Sequence, residues 1–265
     1  MPRLCLPLVV ATGMLGQTAA PDATAQKRII DEVTAKALDY NKTLPNFVCT
    51  QVTRRRIDPT GDGRHWKQID TFDEELSYFD HSEHYKVVSV NGKGARNSDH
   101  NRRGGLTSNG EFGSIHSWIF DAKAQTEFHW NAWGSMEGNP VHAIGYHVEQ
   151  GHSKFTIIRS KSERIVAGYH GLVFADGESK AVLRLTAIAE IPASFPTQDV
   201  TLDLIYSFSK IAGQEYLLPI KSDMRLRMGK TLIWNEVTFQ EYRKFGAEAS
   251  IAFDDPDEPA MKKKP

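Results

Sequence analysis

Cysteine is almost absent from this 265-residue chain: only Cys5 and Cys49 occur. Cys5 lies in an N-terminal segment that reads as removable, so Cys49 would stand alone and no intramolecular disulfide could form. Cys49 alternates with Phe47 in a strand-like run and reads as a buried, inert thiol, not a nucleophile. Long apolar runs are missing as well. Nothing after residue 25 offers the ~20 apolar residues a membrane-spanning helix needs. Charge of one sign is also lacking. With 32 Lys and Arg against 33 Asp and Glu, the net charge is −1, which gives no long-range field to gather nucleic acid or an anionic membrane. The common catalytic signatures are absent too: no GxSxG elbow, no HExxH, no paired CxxC and no GxxxxGK[ST] phosphate loop. These absences lead to the expectation of a protein that is not an enzyme and carries no cofactor.

What is present begins with an export signal. Arg3 supplies a short basic region, and Leu4 to Leu15 form an apolar run of signal-peptide length. Ala23-Thr24-Ala25 provides small residues for a peptidase, so cleavage is expected after Ala25. Cys5 sits too near the start to be a lipobox cysteine. The expected layout is therefore a signal peptide at 1–25, a single domain at 26–253 and a charged, proline-rich disordered tail at 254–265. Such a protein would be periplasmic or secreted.

The periodicity then changes along the chain. Ile30, Val33, Ala37 and Tyr40 share a helical face, predicting a helix over 26–42 that Pro45 ends. Period-two alternation follows, with strands expected at 46–57, 65–79 and 84–90. Asn91 to Gly110 is long, polar and rich in Gly, Asn, Ser and Arg, and is expected to form a mobile flap. A second helix is predicted over 110–121. Further strands are expected at 126–135, 140–149, 153–160, 168–175, 180–191, 199–209, 214–228 and 231–244. Val200, Leu202, Leu204, Tyr206 and Phe208 alternate with mainly polar neighbours, as do the residues of 180–191 and 214–228. This is the signature of a sheet with one apolar face. The fold class expected is mainly β (α+β): a strongly curved antiparallel sheet or open half-barrel of about ten strands. The N-terminal helix and the second helix would lie over its concave face.

Candidate sites are sparse. His81 and His84 flank a turn, with Asp80 and Glu83 beside them. His142, His147 and His152 step by five, which alternates faces on a strand and prevents convergence. Surface histidines are the expectation, with no metal site. The acidic run Asp73-Glu74-Glu75 and the pair Asp254-Asp255 read as solubilising. The densest feature is aromatic: Phe112, Trp118, Phe120, Phe128, Trp130 and Trp133. These would pack the second helix against the sheet, and would also meet a ligand if that helix plugs a cavity. Phe112, Ile115, Ile119, Phe128 and Trp130 are the candidate ligand-binding residues. Phe128 and Trp130 share a strand face, and the alternation places Trp133 on the opposite one.

Three stretches carry a resemblance. Leu44 to Gln51, Ser108 to Gly113 and Tyr242 to Ala247 resemble a group of secreted bacterial proteins without an assigned activity. The order of elements, Gly171 to Gly177 with its following apolar strand, and Tyr216-Leu217-Leu218-Pro219 are similar to the LolA/LolB-like (RseB-like) lipoprotein-localisation superfamily. The resemblance implies a half-barrel holding lipid or lipoprotein acyl chains, and an envelope protein as a further partner. It carries no family residue onto a numbered position here. Three functions stay open from the sequence: a hydrophobic-ligand carrier, an interaction or sensor module whose core is self-filled, and a metal-dependent hydrolase. None involves nucleic acid or an integral membrane span, and the oligomeric state is unknown from the sequence.

Overall fold

The structure, a computed structural model, describes residues 19–80, 82–95, 112–158 and 163–246. Helix α1 (Ala23–Thr43) begins ahead of the expected cleavage point. Its cap is Asp22, whose carboxylate accepts from the Ala25 N–H at 2.8 Å, so an orphan donor of the first turn is satisfied. Ile29, Val33, Ala37 and Tyr40 form the buried stripe along one side, and Leu44 continues it. Leu44 is extended at φ −68° and ψ 125°, the conformation Pro45 imposes on the residue before it.

One meander follows: β1 (Phe47–Asp58), β2 (Lys67–Phe79), β3 (Ser82–Val90) and the two-residue β4 (Lys93–Gly94). Next come the short helix α2 (Ser114–Phe120) and the hairpin of β5 (Glu127–Met136) and β6 (Asn139–Val148). Strands β7 (Thr156–Ile158) and β8 (Arg164–Val166) make a small separate sheet, a pair shorter than the strand expected at 153–160. The second meander comprises β9 (Gly168–Asp176), β10 (Val182–Glu190), β11 (Thr197–Ile211), β12 (Gln214–Met228) and β13 (Thr231–Lys244). The main sheet has eleven antiparallel strands in the order β4-β3-β2-β1-β13-β12-β11-β10-β9-β6-β5. As the alternation predicts, it is mainly β and unclosed; β4 and β5 form its edges. β1 pairs with β13, joining the two meanders.

Both helices cover one face of this sheet. α1 packs on α2, β5 and β10, and its stripe joins Phe47, Leu76, Val173, Leu204 and Leu218 in one core. Each such side chain contributes about 1.5–3 kcal/mol on burial. α2 has seven residues, too few to persist alone. It is held by Ile115, His116, Ile119 and Phe120, all buried. On the opposite face Trp234 lies between Arg56 and Arg225, whose guanidinium carbons are 4.4 and 4.6 Å from its ring centroid. The three are direct cross-strand neighbours.

Three expectations are corrected. Trp133 is not on the face opposite Trp130. The register shifts between Trp130 and Ala132, and this bulge inserts a residue. The two indoles meet edge to face at 4.8 Å. Glu74 is not a solubilising surface acid: it is fully buried on the inner face of β2, where Gln51 Nε2 donates to it at 2.9 Å. The second helix is shorter than 110–121, running from Ser114 to Phe120, and a 3₁₀ turn at Ala122–Ala124, capped by Asp121, follows it. Of the expected flap, residues 91–95 turn into β4, while 96–110 lie outside the described residues. So do the tail 254–265, His81 and residues 1–18.

Candidate functional site

A cavity of about 380 Å³ lies between the C-terminal half of α1, α2, the β9–β10 turn and the β11–β12 hairpin. Ligand sites commonly occupy about 300–1,000 Å³. Helical spacing brings Ala37 and Tyr40 of α1 to its wall, Leu44 joins them from just past the helix end, and the inward alternation of the strands adds Val182 and Phe208. Leu217 lines it from the hairpin. Phe208 is 53% exposed although it continues the inward row of Leu204 and Tyr206, because the sheet runs past the end of α1 there. It marks the mouth. Lys36, Asp39 and Glu215 also line the cavity and are exposed, so the charged side chains sit on the solvent side.

The buried end is aromatic and polar. The His116 imidazole stacks on the Tyr40 ring with centroids 4.5 Å apart. Tyr206 meets both rings edge-on, at 5.9 Å from Tyr40 and 5.3 Å from His116. His116 is 1% exposed. Burial pushes its pKa down to about 4, against a small opposing contribution from the Ala37 carbonyl, so the imidazole is neutral at neutral pH. Burial likewise pushes the Tyr40 phenol well up. Tyr40 Oη is buried without a hydrogen-bond partner, and the His116 ring nitrogens, equally buried, have the Ala37 carbonyl as the one hydrogen-bonding group that acts on them. A buried group without a partner costs about 1–3 kcal/mol.

The five candidates named from the sequence sit beside this cavity, outside its lining. Phe112, Ile115 and Ile119 are core residues at 1%, 3% and 0% exposure. Phe112 packs on Phe47 at 5.1 Å and Phe239 at 5.2 Å. Phe128 stacks on Phe120 at 5.5 Å, and Trp130 touches His142 at 5.8 Å. Sequence reasoning missed the Tyr40–His116 pair. Its signal was there: Phe112, Ile115, His116 and Ile119 follow i, i+3, i+4, i+7, which buries a histidine. The histidines are thus not all superficial, since His142 is buried as well. Burial and then Lys180, whose Nζ is 3.1 Å from its Nε2, lower the His142 pKa.

Cys49 is a buried free thiol, and burial raises its pKa far above the ordinary range. One group among the described residues, Asp58, Asp62 and His65, brings possible metal-ligand atoms within 4.8 Å of one another. Asp58 already accepts from the Thr60 hydroxyl at 2.6 Å and from the N–H groups of Thr60 and Gly63 at 2.9 and 2.8 Å. Burial alone would raise its pKa, but these bonds outweigh that and hold it well below the usual carboxylate range. His65 Nδ1 lies 2.9 Å from Asp62. The trio is accounted for as the scaffold of the β1–β2 turn.

No protein-family model matches the chain, and no curated protein does. Among solved structures it is similar to a DUF1329-family protein from Desulfovibrio piger, at 11% identity and a TM-score of 0.39 over 82% of this chain and 92% of that one. It is similar to a LolA-superfamily protein from Nitrosomonas europaea, at 8% identity and a TM-score of 0.35 over 82% and 93%. It is also similar to an outer-membrane lipoprotein-sorting protein domain from Vibrio parahaemolyticus, at 12% identity and a TM-score of 0.39 over 84% and 93%.

Proposed function

We propose that this is an exported, non-catalytic binding protein that takes a hydrophobic ligand, a lipid or lipoprotein acyl chain, into the α1–hairpin cavity. The observation that carries this reading is a cavity of about 380 Å³ walled by apolar side chains, with an exposed phenylalanine at its mouth. Each CH₂ transferred from water into such a site contributes about 0.8 kcal/mol, so affinity needs few polar contacts. α2 is the element whose displacement would enlarge the site. Phe112, Ile115, Ile119, Phe128 and Trp130 would then join it.

Export is part of the proposal, with residues 1–25 as the signal, residues 26–253 as one domain, and the periplasm or the exterior as destination. A second reading, an interaction or sensor module, draws support from the inner face, where Phe47, Phe112, Ile119, Leu204 and Leu218 fill the space with the protein's own side chains. Native mass spectrometry of the purified protein, with lipid extraction of the same sample, decides between them. One lipid or acyl chain per protein supports the carrier. A mass that stays ligand-free after incubation with phospholipid vesicles supports the self-filled module instead.

A further inference from the structure

On the solvent face of the sheet, opposite the helices, four neighbouring strands bring two imidazoles and two carboxylates together, and we infer that this group is a binding site for a divalent ion of the zinc type. Glu127 on β5, His147 on β6 and His170 on β9 are direct cross-strand partners and form one row. Glu190 on β10 stands two residues beyond Ile188, the partner of His170, and its carboxylate reaches back to both rings. Its Oε1 lies 3.2 Å from His147 Nε2 and 3.0 Å from His170 Nδ1. The five-residue step of His142, His147 and His152 prevents convergence along one strand. The sheet order β10-β9-β6-β5 supplies it across strands instead.

The donor set fits that class of ion. Imidazole with carboxylate suits zinc and its neighbours, whereas calcium and magnesium take oxygen ligands. Bonds of about 2.0–2.2 Å to a tetrahedral zinc set its ligand atoms about 3.3–3.6 Å apart, close to the two distances from Glu190. Glu127 Oε2 lies 3.9 Å from His147 Nδ1, the ring nitrogen turned away from Glu190, where a carboxylate fixes the tautomer of a ligating imidazole. Gly168, the cross-strand partner of Glu190, clears the space for the carboxylate: a Cβ there would lie 2.9 Å from Glu190 Oε2. Charge points the same way. Among the described residues the ion-pair partners of Glu127 and Glu190 are these histidines, with no Lys or Arg. A histidine compensates a carboxylate only when protonated, whereas a divalent ion does so with neutral imidazoles as ligands. Unlike those of Asp58, Asp62 and His65, the donor atoms here do not all lie within 4.8 Å of one another, because the two rings flank the carboxylate. The side chains of His147, His170 and Glu190 are 33%, 49% and 45% exposed, so they have room to close around an ion.

Untagged protein stripped with EDTA is titrated with Zn²⁺ by calorimetry, with Ca²⁺ as the hard-ion comparison, and thermal unfolding is followed with and without Zn²⁺. One Zn²⁺ per protein is expected, bound at least about tenfold more tightly than Ca²⁺, with a rise in the unfolding midpoint. His147→Ala, His170→Ala and Glu190→Gln, each checked for retained fold by circular dichroism, are expected to weaken binding at least about tenfold and to remove the rise. His65→Ala should leave the affinity within about twofold of the parent. Should a histidine variant fail to fold, the nearly isosteric Glu190→Gln carries the comparison. Absence of saturable Zn²⁺ binding, binding that survives the three substitutions, or loss of binding in His65→Ala overturns the site. The lipid cavity lies on the other face of the sheet, so the carrier reading stands or falls separately.

Discussion

Lowering the pH should weaken the ligand-free protein through His116 before its carboxylates titrate. The histidine has a folded pKa of about 4 against 6.5 in the unfolded chain. The unfolded chain therefore takes up a proton first as pH falls. The stability due to the neutral imidazole is complete above pH ~6.5 and is lost progressively toward pH ~4. Between pH ~7.5 and pH ~5 the loss from this group is about 2 kcal/mol, taking 1.36 kcal/mol per pKa unit. His142 is also lowered, by burial and then Lys180, and adds in the same direction. Below this window Asp62, Asp176 and Glu190, whose pKa values are depressed, begin to contribute. Urea unfolding of the parent and of His116→Phe at several pH values separates these parts, because the variant retains every group but one. The parent curve should fall about 2 kcal/mol further than the variant's over that interval. At neutral pH the variant should be the more stable by about 1 kcal/mol, since it removes a buried ring nitrogen that has no partner. Parallel pH profiles would refute the assignment of His116 as a buried neutral imidazole.

Three further outcomes are expected. Phe208→Asp, at the mouth and half exposed, should reduce lipid uptake by at least tenfold in a binding titration while moving the unfolding free energy by less than about 0.5 kcal/mol. A chain starting at Gln26 loses the Asp22 cap and the Ala19 carbonyl that Trp133 Nε1 donates to at 3.1 Å. It should be about 1 kcal/mol less stable in urea than one starting at Ala19. Gly171→Ala should destabilise severely, by about 3 kcal/mol, because a Cβ there would lie 1.9 Å from the Thr186 carbonyl oxygen. Gly145→Ala should cost much less, since the obstacle is the His129 ring, which can swing away.

Much of the scaffold was legible because it depends on local pattern. The bounds expected for β12 and β13 are those observed, as clean alternation and the Gly229 turn mark both ends. The buried stripe of α1 follows from helical spacing alone. What escaped depends on long-range geometry or on one extra residue. The bulge beside Trp130 reverses the face of Trp133 without leaving a mark in the composition. Glu74 looks like one acid in a run of three, and only the pairing of Gln51 with Glu74 shows that it is buried against an amide. The cavity wall comes from residues 36–44, 116, 179–182 and 208–217. No periodicity within any of those segments announces that they meet.

The pairing of β1 with β13 also sets the order in which the protein can acquire its structure. Thr50 Oγ1 donates to Glu241, 191 positions further along the chain. Closing so long a loop has an entropic cost that must be met before the contact returns anything, and it slows folding. The β9 to β13 meander can zip up through short turns, but the β1–β2 ribbon has no seat until the final strand exists. While a chain emerges end first, residues 47–79 would expose an unpaired edge for nearly the whole of its emergence. Arg54, Arg55 and Arg56 on β1 and Asp73, Glu74 and Glu75 on β2 place charge along both strands of that ribbon. Charge of this kind discourages pairing with a neighbouring molecule in the meantime.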